Sequence, residues 1–188
     1  TTDIAKILID NRSNVNAEDE IKWTPLHISA QNGTTDIAKI LIDHGSNVNA
    51  ENEVKWTPLH ISAQYGTTDI AKILIDNRSN VNAEDEIKWT PLHISAQNGT
   101  TDIAELLIEH GSNVNAENKY KSTPLHVAAK NSKKDVAKLL INRGANIYAR
   151  DKYNNTPVFV APRAMAKYIN EQYKKYNEEK AEHFFLIF

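Results

Sequence analysis

Cysteine is absent from the 188 residues. Disulfides and thiolate metal sites are therefore excluded, and the chain suits a reducing compartment. A surplus of one charge is also missing, with 22 basic residues against 24 acidic ones and a formal net charge of -2. That balance lacks the basic footprint of a nucleic-acid binder, and no long run of one sign points to a membrane surface. No apolar run approaches the roughly 18 residues of a membrane span, and no signal peptide is present. The expected setting is intracellular, in the cytoplasm, or in a host cell's cytoplasm if the chain is a secreted effector. Also missing are a phosphate-cradling loop, paired catalytic carboxylates and a nucleophile–base–orienter set. The chain is thus read as non-catalytic, with no cofactor and no metal.

What is present is a period. Thr-Pro-Leu-His begins at Thr24, Thr57, Thr90 and Thr123, and a degraded copy runs from Thr156 to Phe159, each 33 residues after the last. Ser-Asn-Val-Asn-Ala keeps the same step from Ser13, Ser46, Ser79 and Ser112, and Ala145 to Ala149 continues it. Residues 1–38 are identical to residues 67–104, so a pair of repeats has been copied together. Such self-similarity is the mark of a stacked repeat architecture.

Each copy predicts helix, turn, helix, loop. From Thr24, the Thr hydroxyl can cap a helix and Pro25 suits the first helical position, where no N–H partner is needed. Gly33 ends that helix in the left-handed conformation. Thr34 or Thr35 then caps a second helix, with Asp36 favourably placed in its first turn. Ile37, Ile40 and Leu41 give it one apolar face, and Gly45 closes it. Residues 46–56 are polar and read as a loop or hairpin. One helix pair cannot bury its apolar face alone, whereas stacked neighbours can. Small residues such as Ala30 and Ala38 permit close helix approach.

The step of 33, the Thr-Pro-Leu-His, the glycine at Gly33 and the Asn-Val-Asn-Ala loop together resemble ankyrin repeats. The resemblance spans residues 1–161. It implies an all-α solenoid of stacked helix-turn-helix units with β-hairpin-like loops. It also implies a concave surface, made of hairpin tips and first helices, that binds another protein. The sequence departs from the family at several points. Lys22, Lys55, Lys88, Lys121 and Asn154 stand where a glycine is usual, and lysine at positive φ is strained, so an altered tip shape is expected. Ser132 replaces the glycine of Gly33, Gly66 and Gly99. Arg12 and Arg78 replace that of Gly45 and Gly111, which points to a modified helix end in alternate repeats. The first repeat lacks its first helix, so Ile4, Ile7 and Leu8 face solvent unless covered, and a longer natural array is expected. The chain is read as a monomer, with end-to-end contact at that uncapped end. Residues 162–188 are read as a degenerate last repeat, about one helical turn short, followed by a polar capping helix. The apolar stretch 184–188 is expected to fold back on the array. Asn16, Asn49, Asn82 and Asn115 match loop asparagines that are hydroxylated in animal members of the family.

His27, His60, His93 and His126 occupy equivalent places roughly 10 Å apart, near the helix packing distance. Zinc takes ligands at about 2 Å, so neighbours cannot share one ion. A hydrogen bond tying adjacent repeats is the expected role. The candidate partner-binding residues are those that the helical core does not claim. Trp23, Trp56 and Trp89 precede the Thr-Pro, and Ile21, Val54, Ile87, Tyr120 and Tyr153 lie two positions earlier. Regularly placed exposed apolar groups need a reason, and Trp and Tyr are frequent hot spots. Packing of each tryptophan on the adjacent hairpin is the alternative. Gln31, Asn32, Gln64, Tyr65, Gln97, Asn98 and Lys130 end the first helices and should line the same groove. The partner is another protein, with nucleic acid and membrane insertion excluded. An elastic spacer array is the competing role, and a recruiting arm of a larger enzyme, adaptor or effector is another.

Overall fold

A computed structural model describes residues 13–185 together with Thr2, Asp3, Lys6 and Ile7. Ile4, Leu8, Arg12 and residues 186–188 lie outside the described residues, and so do the side chains of residues 182–185. Thr2, Asp3, Lys6 and Ile7 are helical, and residues 13–185 form ten helices and no strand. They are α1 (Pro25–Asn32), α2 (Thr35–Asp43), α3 (Pro58–Tyr65), α4 (Thr68–Asp76), α5 (Pro91–Asn98), α6 (Thr101–Glu109), α7 (Pro124–Lys130), α8 (Lys134–Asn142), α9 (Pro157–Val160) and α10 (Arg163–Phe185).

The Thr-Pro-Leu-His motif starts α1, α3 and α7 by the same device. Thr24 has extended backbone and Pro25 fills the first helical position. The His27 N–H donates to Thr24 Oγ1, and the Thr24 N–H donates to His27 Nδ1. Two orphan donors of the helix start are thereby satisfied reciprocally. Thr123 and His126 repeat the arrangement. Gly33 and Gly66 end α1 and α3 with φ of 70° and 75°. The second helices begin differently from expectation. Thr34, Thr67 and Thr100 occupy the cap position but make no side-chain cap bond. Thr67 instead donates its hydroxyl to the Ala30 carbonyl at 2.7 Å, in the neighbouring repeat. Tertiary contact has outcompeted the local cap.

The chain divides into two compact units, Thr1–Pro91 and Leu92–Phe188. In the first, α1 packs on α3, α2 on α4, and each first helix on its own second helix. Leu26, Leu59, Ile61, Ile70 and Leu74 are fully buried there, with Ala30, Ala38, Ala63 and Ala71 at the close approaches. In the second, α7 packs on α9, and α8 on α6 and α10. Leu92, Ile94, Ile103, Leu107, Leu125, Leu140 and Ile141 form its core. Burying one such side chain stabilises by about 1.5–3 kcal/mol, so stacking outweighs the weak intrinsic stability of helices eight or nine residues long. The last helix pair is distinct. α9 is one turn, and α10 starts about a turn sooner after its Thr-Pro than α8 does. Met165 and Ile169 are buried, while exposed pairs such as Lys167–Glu171 and Lys174–Glu178 support the remainder of α10.

The expectation of altered turns is corrected. Lys22, Lys55, Lys88, Lys121 and Asn154 all take φ between 54° and 66°. Arg78 and Ser132 also keep the left-handed conformation, at 66° and 56°. Surrounding hydrogen bonds over-determine the backbone, so the side chain yields to it and not the reverse.

Candidate partner-binding surface

The hairpin tips are organised by a residue that the motif reading passed over. Asp19 Oδ1 accepts from the N–H groups of Ile21 and Trp23, at 3.0 and 2.7 Å. Asn52 does the same for Val54 and Trp56, and Asp85 for Ile87 and Trp89. In the second unit Asn118 holds Tyr120 and Ser122, and Asp151 holds Tyr153 and Asn155. A short polar side chain that accepts from its own downstream backbone replaces the missing ladder bonds of so tight a turn. Burial works against the Asp151 charge, yet the Asn155 and Tyr153 N–H groups hold its carboxyl below the ordinary value. The sequence does carry a signal for these residues, since an Asp or Asn recurs at the same step, four positions before each Thr-Pro neighbour.

Adjacent tips are then tied together. Glu53 N–H donates to the Ile21 carbonyl, Glu86 N–H to that of Val54, and Lys152 N–H to that of Tyr120. The histidines make the second tie. His27 Nε2–H donates to the Trp56 carbonyl at 2.9 Å and His60 to that of Trp89 at 3.2 Å. His93 and His126 reach Ser122 and Asn155 in the second unit. A carbonyl on one side and an N–H on the other select the neutral tautomer that is protonated on Nε2. Burial is the main reason that the His60 imidazole is held down to about 4, and it pushes His27 and His126 below the ordinary value too. Phe159 takes this place in the degraded copy and is 74% exposed. On the loops behind the tips, Asn16 accepts from Asn47 N–H and donates to the Gly45 carbonyl, and Asn49 and Asn115 repeat this pattern. Both ends of these amides therefore serve the stacking.

The candidate residues divide into two groups. Ile21, Val54, Ile87, Tyr120 and Tyr153 are exposed, from 39% at Ile87 to 69% at Tyr153. Trp23, Trp56 and Trp89 are half-buried. The Trp56 ring stacks on His60 with centroids 6.1 Å apart, and its Nε1–H donates to Asp85 Oδ2 at 3.1 Å. Trp23 lies 5.8 Å from His27 with the rings tilted by 40°. One face of these tryptophans thus shields the histidine tie while the other borders the surface. Ile21, Trp23, Val54 and Trp56 wall a shallow groove of about 330 Å³ between the first two tips. At the first-helix ends, Gln31 Nε2 donates to the Tyr65 hydroxyl at 2.9 Å. Asn32, Gln97 and Lys130 are exposed there, and Gln64 and Asn98 are half-buried.

No group of three or more His, Cys, Asp or Glu side chains that could hold a metal occurs among the described residues. Nor is any described helix long and apolar enough to cross a membrane. A search of curated proteins returned no match. The family model for ankyrin repeats (3 copies) matches residues 1–85 and again residues 79–151. With the stacked helix pairs, the capping boxes and the braced tips in view, that match over most of the chain establishes that this protein belongs to the ankyrin-repeat family.

Proposed function

We propose that this protein binds a protein partner across its hairpin tips and first-helix ends, with Ile21, Val54, Ile87, Tyr120 and Tyr153 as the principal contacts. Ankyrin repeats are in general protein–protein interaction modules and their fold is non-catalytic. One observation carries the more specific reading. At a single repeating position every tip presents an apolar side chain that stacking leaves exposed, on backbone braced by an Asp or Asn and tied to its neighbour. Such rigidity lowers the ordering cost of association, and exposed apolar groups on neighbouring tips within each unit are the usual mark of a binding surface. The tryptophans contribute edge area and stiffness, and Gln31, Asn32, Gln64, Tyr65, Gln97, Asn98 and Lys130 add hydrogen-bonding groups at the border.

The test compares partner capture by the wild-type chain and by an Ile21→Ser/Val54→Ser/Ile87→Ser variant. Circular dichroism and the thermal midpoint should stay close to wild type, because these side chains lie outside the core. Capture should fall by about tenfold or more, the scale of losing hot-spot contacts. Undiminished capture by a folded triple variant would overturn the assignment.

A further inference from the structure

The residue before each exposed tip side chain changes sign along the chain. It is Glu20, Glu53 and Glu86 in the first three tips, then Lys119 and Lys152 in the last two. The backbone does the same thing in both settings, since Glu53 N–H donates to Ile21 and Lys152 N–H donates to Tyr120. The tip backbone therefore accepts either charge, which leaves the side chain free to serve contacts of its own. The change of sign coincides with a second change in the second unit, where Tyr120 and Tyr153 replace the aliphatic residues of the earlier tips.

These side chains form one patch. Lys152 Nζ lies 3.9 Å from the centre of the Tyr120 ring and 4.9 Å from that of Tyr153. Lys119 and Lys121 flank Tyr120, and all three lysines are exposed. None of the three makes an ion pair among the described residues, whereas Lys88 in the first unit pairs with Glu84 at 3.5 Å. Of the two carboxylates nearby in sequence, Asp151 already accepts from the Tyr153 and Asn155 N–H groups, and Glu117 is exposed and in no ion pair with these lysines. An ammonium held over two rings is oriented in advance. A carboxylate reaching it from outside gains an ion pair without first ordering the lysine.

We infer that the tips of the second unit bind an acidic protein segment, whose carboxylates meet Lys119, Lys121 and Lys152 while its apolar side chains lie on Tyr120 and Tyr153. The inference rests on the reading that the tips bind protein, and it adds the chemistry of the partner. A nucleic acid fits less well. Glu117 and Asp151 lie within the same tips, and a polyphosphate gains affinity by neutralising many successive phosphates, which three lysines cannot do.

The test uses the full chain and a fluorescein-labelled peptide of alternating Glu and Leu, with a Gln–Leu peptide and an oligouridylate of equal charge as comparisons. Fluorescence anisotropy should show saturable binding of the Glu–Leu peptide at low salt, weakened at about 0.3 M salt, and much weaker binding of the other two. Lys119→Glu/Lys152→Glu installs the residue that three other repeats already carry, so it should fold, and it should weaken binding by about tenfold or more. Lys119→Gln/Lys152→Gln should fall between. No saturable binding by the wild type, equal binding by the Glu variant, or tighter binding of the oligouridylate would each overturn the inference. The broader reading fails separately, through capture that the Ile21/Val54/Ile87 variant leaves intact.

Discussion

Lowering the pH from about 7 to about 5 is expected to remove roughly 2 kcal/mol of folding stability through His60 alone. The His60 side chain is fully buried, with Nδ1 accepting from the Thr57 N–H and Nε2–H donating to the Trp89 carbonyl. A second ring proton would have to sit on Nδ1, facing an N–H that is already a donor. Burial adds the desolvation penalty, and the imidazole is held down to about 4 from its ordinary 6.5. Between those two values the unfolded chain binds a proton that the folded chain refuses, so stability rises with pH there. The contribution is fully present above the unfolded value and lost as pH falls toward the folded one. A tenfold change in proton affinity is worth about 1.4 kcal/mol, so the whole swing is about 3 kcal/mol, most of it above the range where ordinary carboxylates titrate. His27 and His126 are shifted the same way and act in the same direction. The assay is urea unfolding followed by circular dichroism across this range, on the wild type and on His60→Gln. Glutamine at the third helical position retains the capping box but does not titrate, so the variant should lose less stability on acidification. Equal pH slopes for the two proteins, or an NMR titration placing the folded His60 near its ordinary value, would refute the reasoning.

Lys55 adopts φ of 62°, so Lys55→Gly should raise stability by about 0.5–1 kcal/mol in thermal or denaturant unfolding; a loss would show that the lysine side chain makes an interaction outweighing its strain. The Ser62 hydroxyl is buried without a hydrogen-bond partner, and the equivalent residue of another repeat is the buried Ala128. Ser62→Ala should therefore stabilise by about 0.5–1.5 kcal/mol, and a destabilised variant would point to a partner for that hydroxyl. Asn52→Ala strips the acceptor from two tip N–H groups and should cost about 1–3 kcal/mol. Amide exchange at Val54 and Trp56 should accelerate in the same variant, and unchanged protection there would argue against the bracing role of Asn52.

The sequence by itself determined the repeat, the helix pair within it and the residues that form the core. The period of 33, the Thr-Pro start and the i, i+3, i+4 apolar spacing are local features, and each points to the same structure. Leu26, Leu41, Leu59 and Leu74 are buried as that pattern requires. The tying role of the histidines was also legible, because geometry alone ruled out a shared ion. Tertiary structure decided the rest, through contacts with the neighbouring repeat. Thr67 reaches the Ala30 carbonyl instead of capping its own helix. The lysines at the tips accept a left-handed backbone because hydrogen bonds within the hairpin and to the next one leave no other conformation. Among the tip candidates, Trp56 turns a face inward against His60 and Asp85, while Val54, two residues away, stays exposed. His60 lies in the same repeat as Trp56, but the Asp85 that fixes the indole N–H comes from the next one. The outcome depends on groups from both copies, one of them 29 residues along the chain, and a side chain's burial is fixed by all of its neighbours rather than by its place in a local pattern.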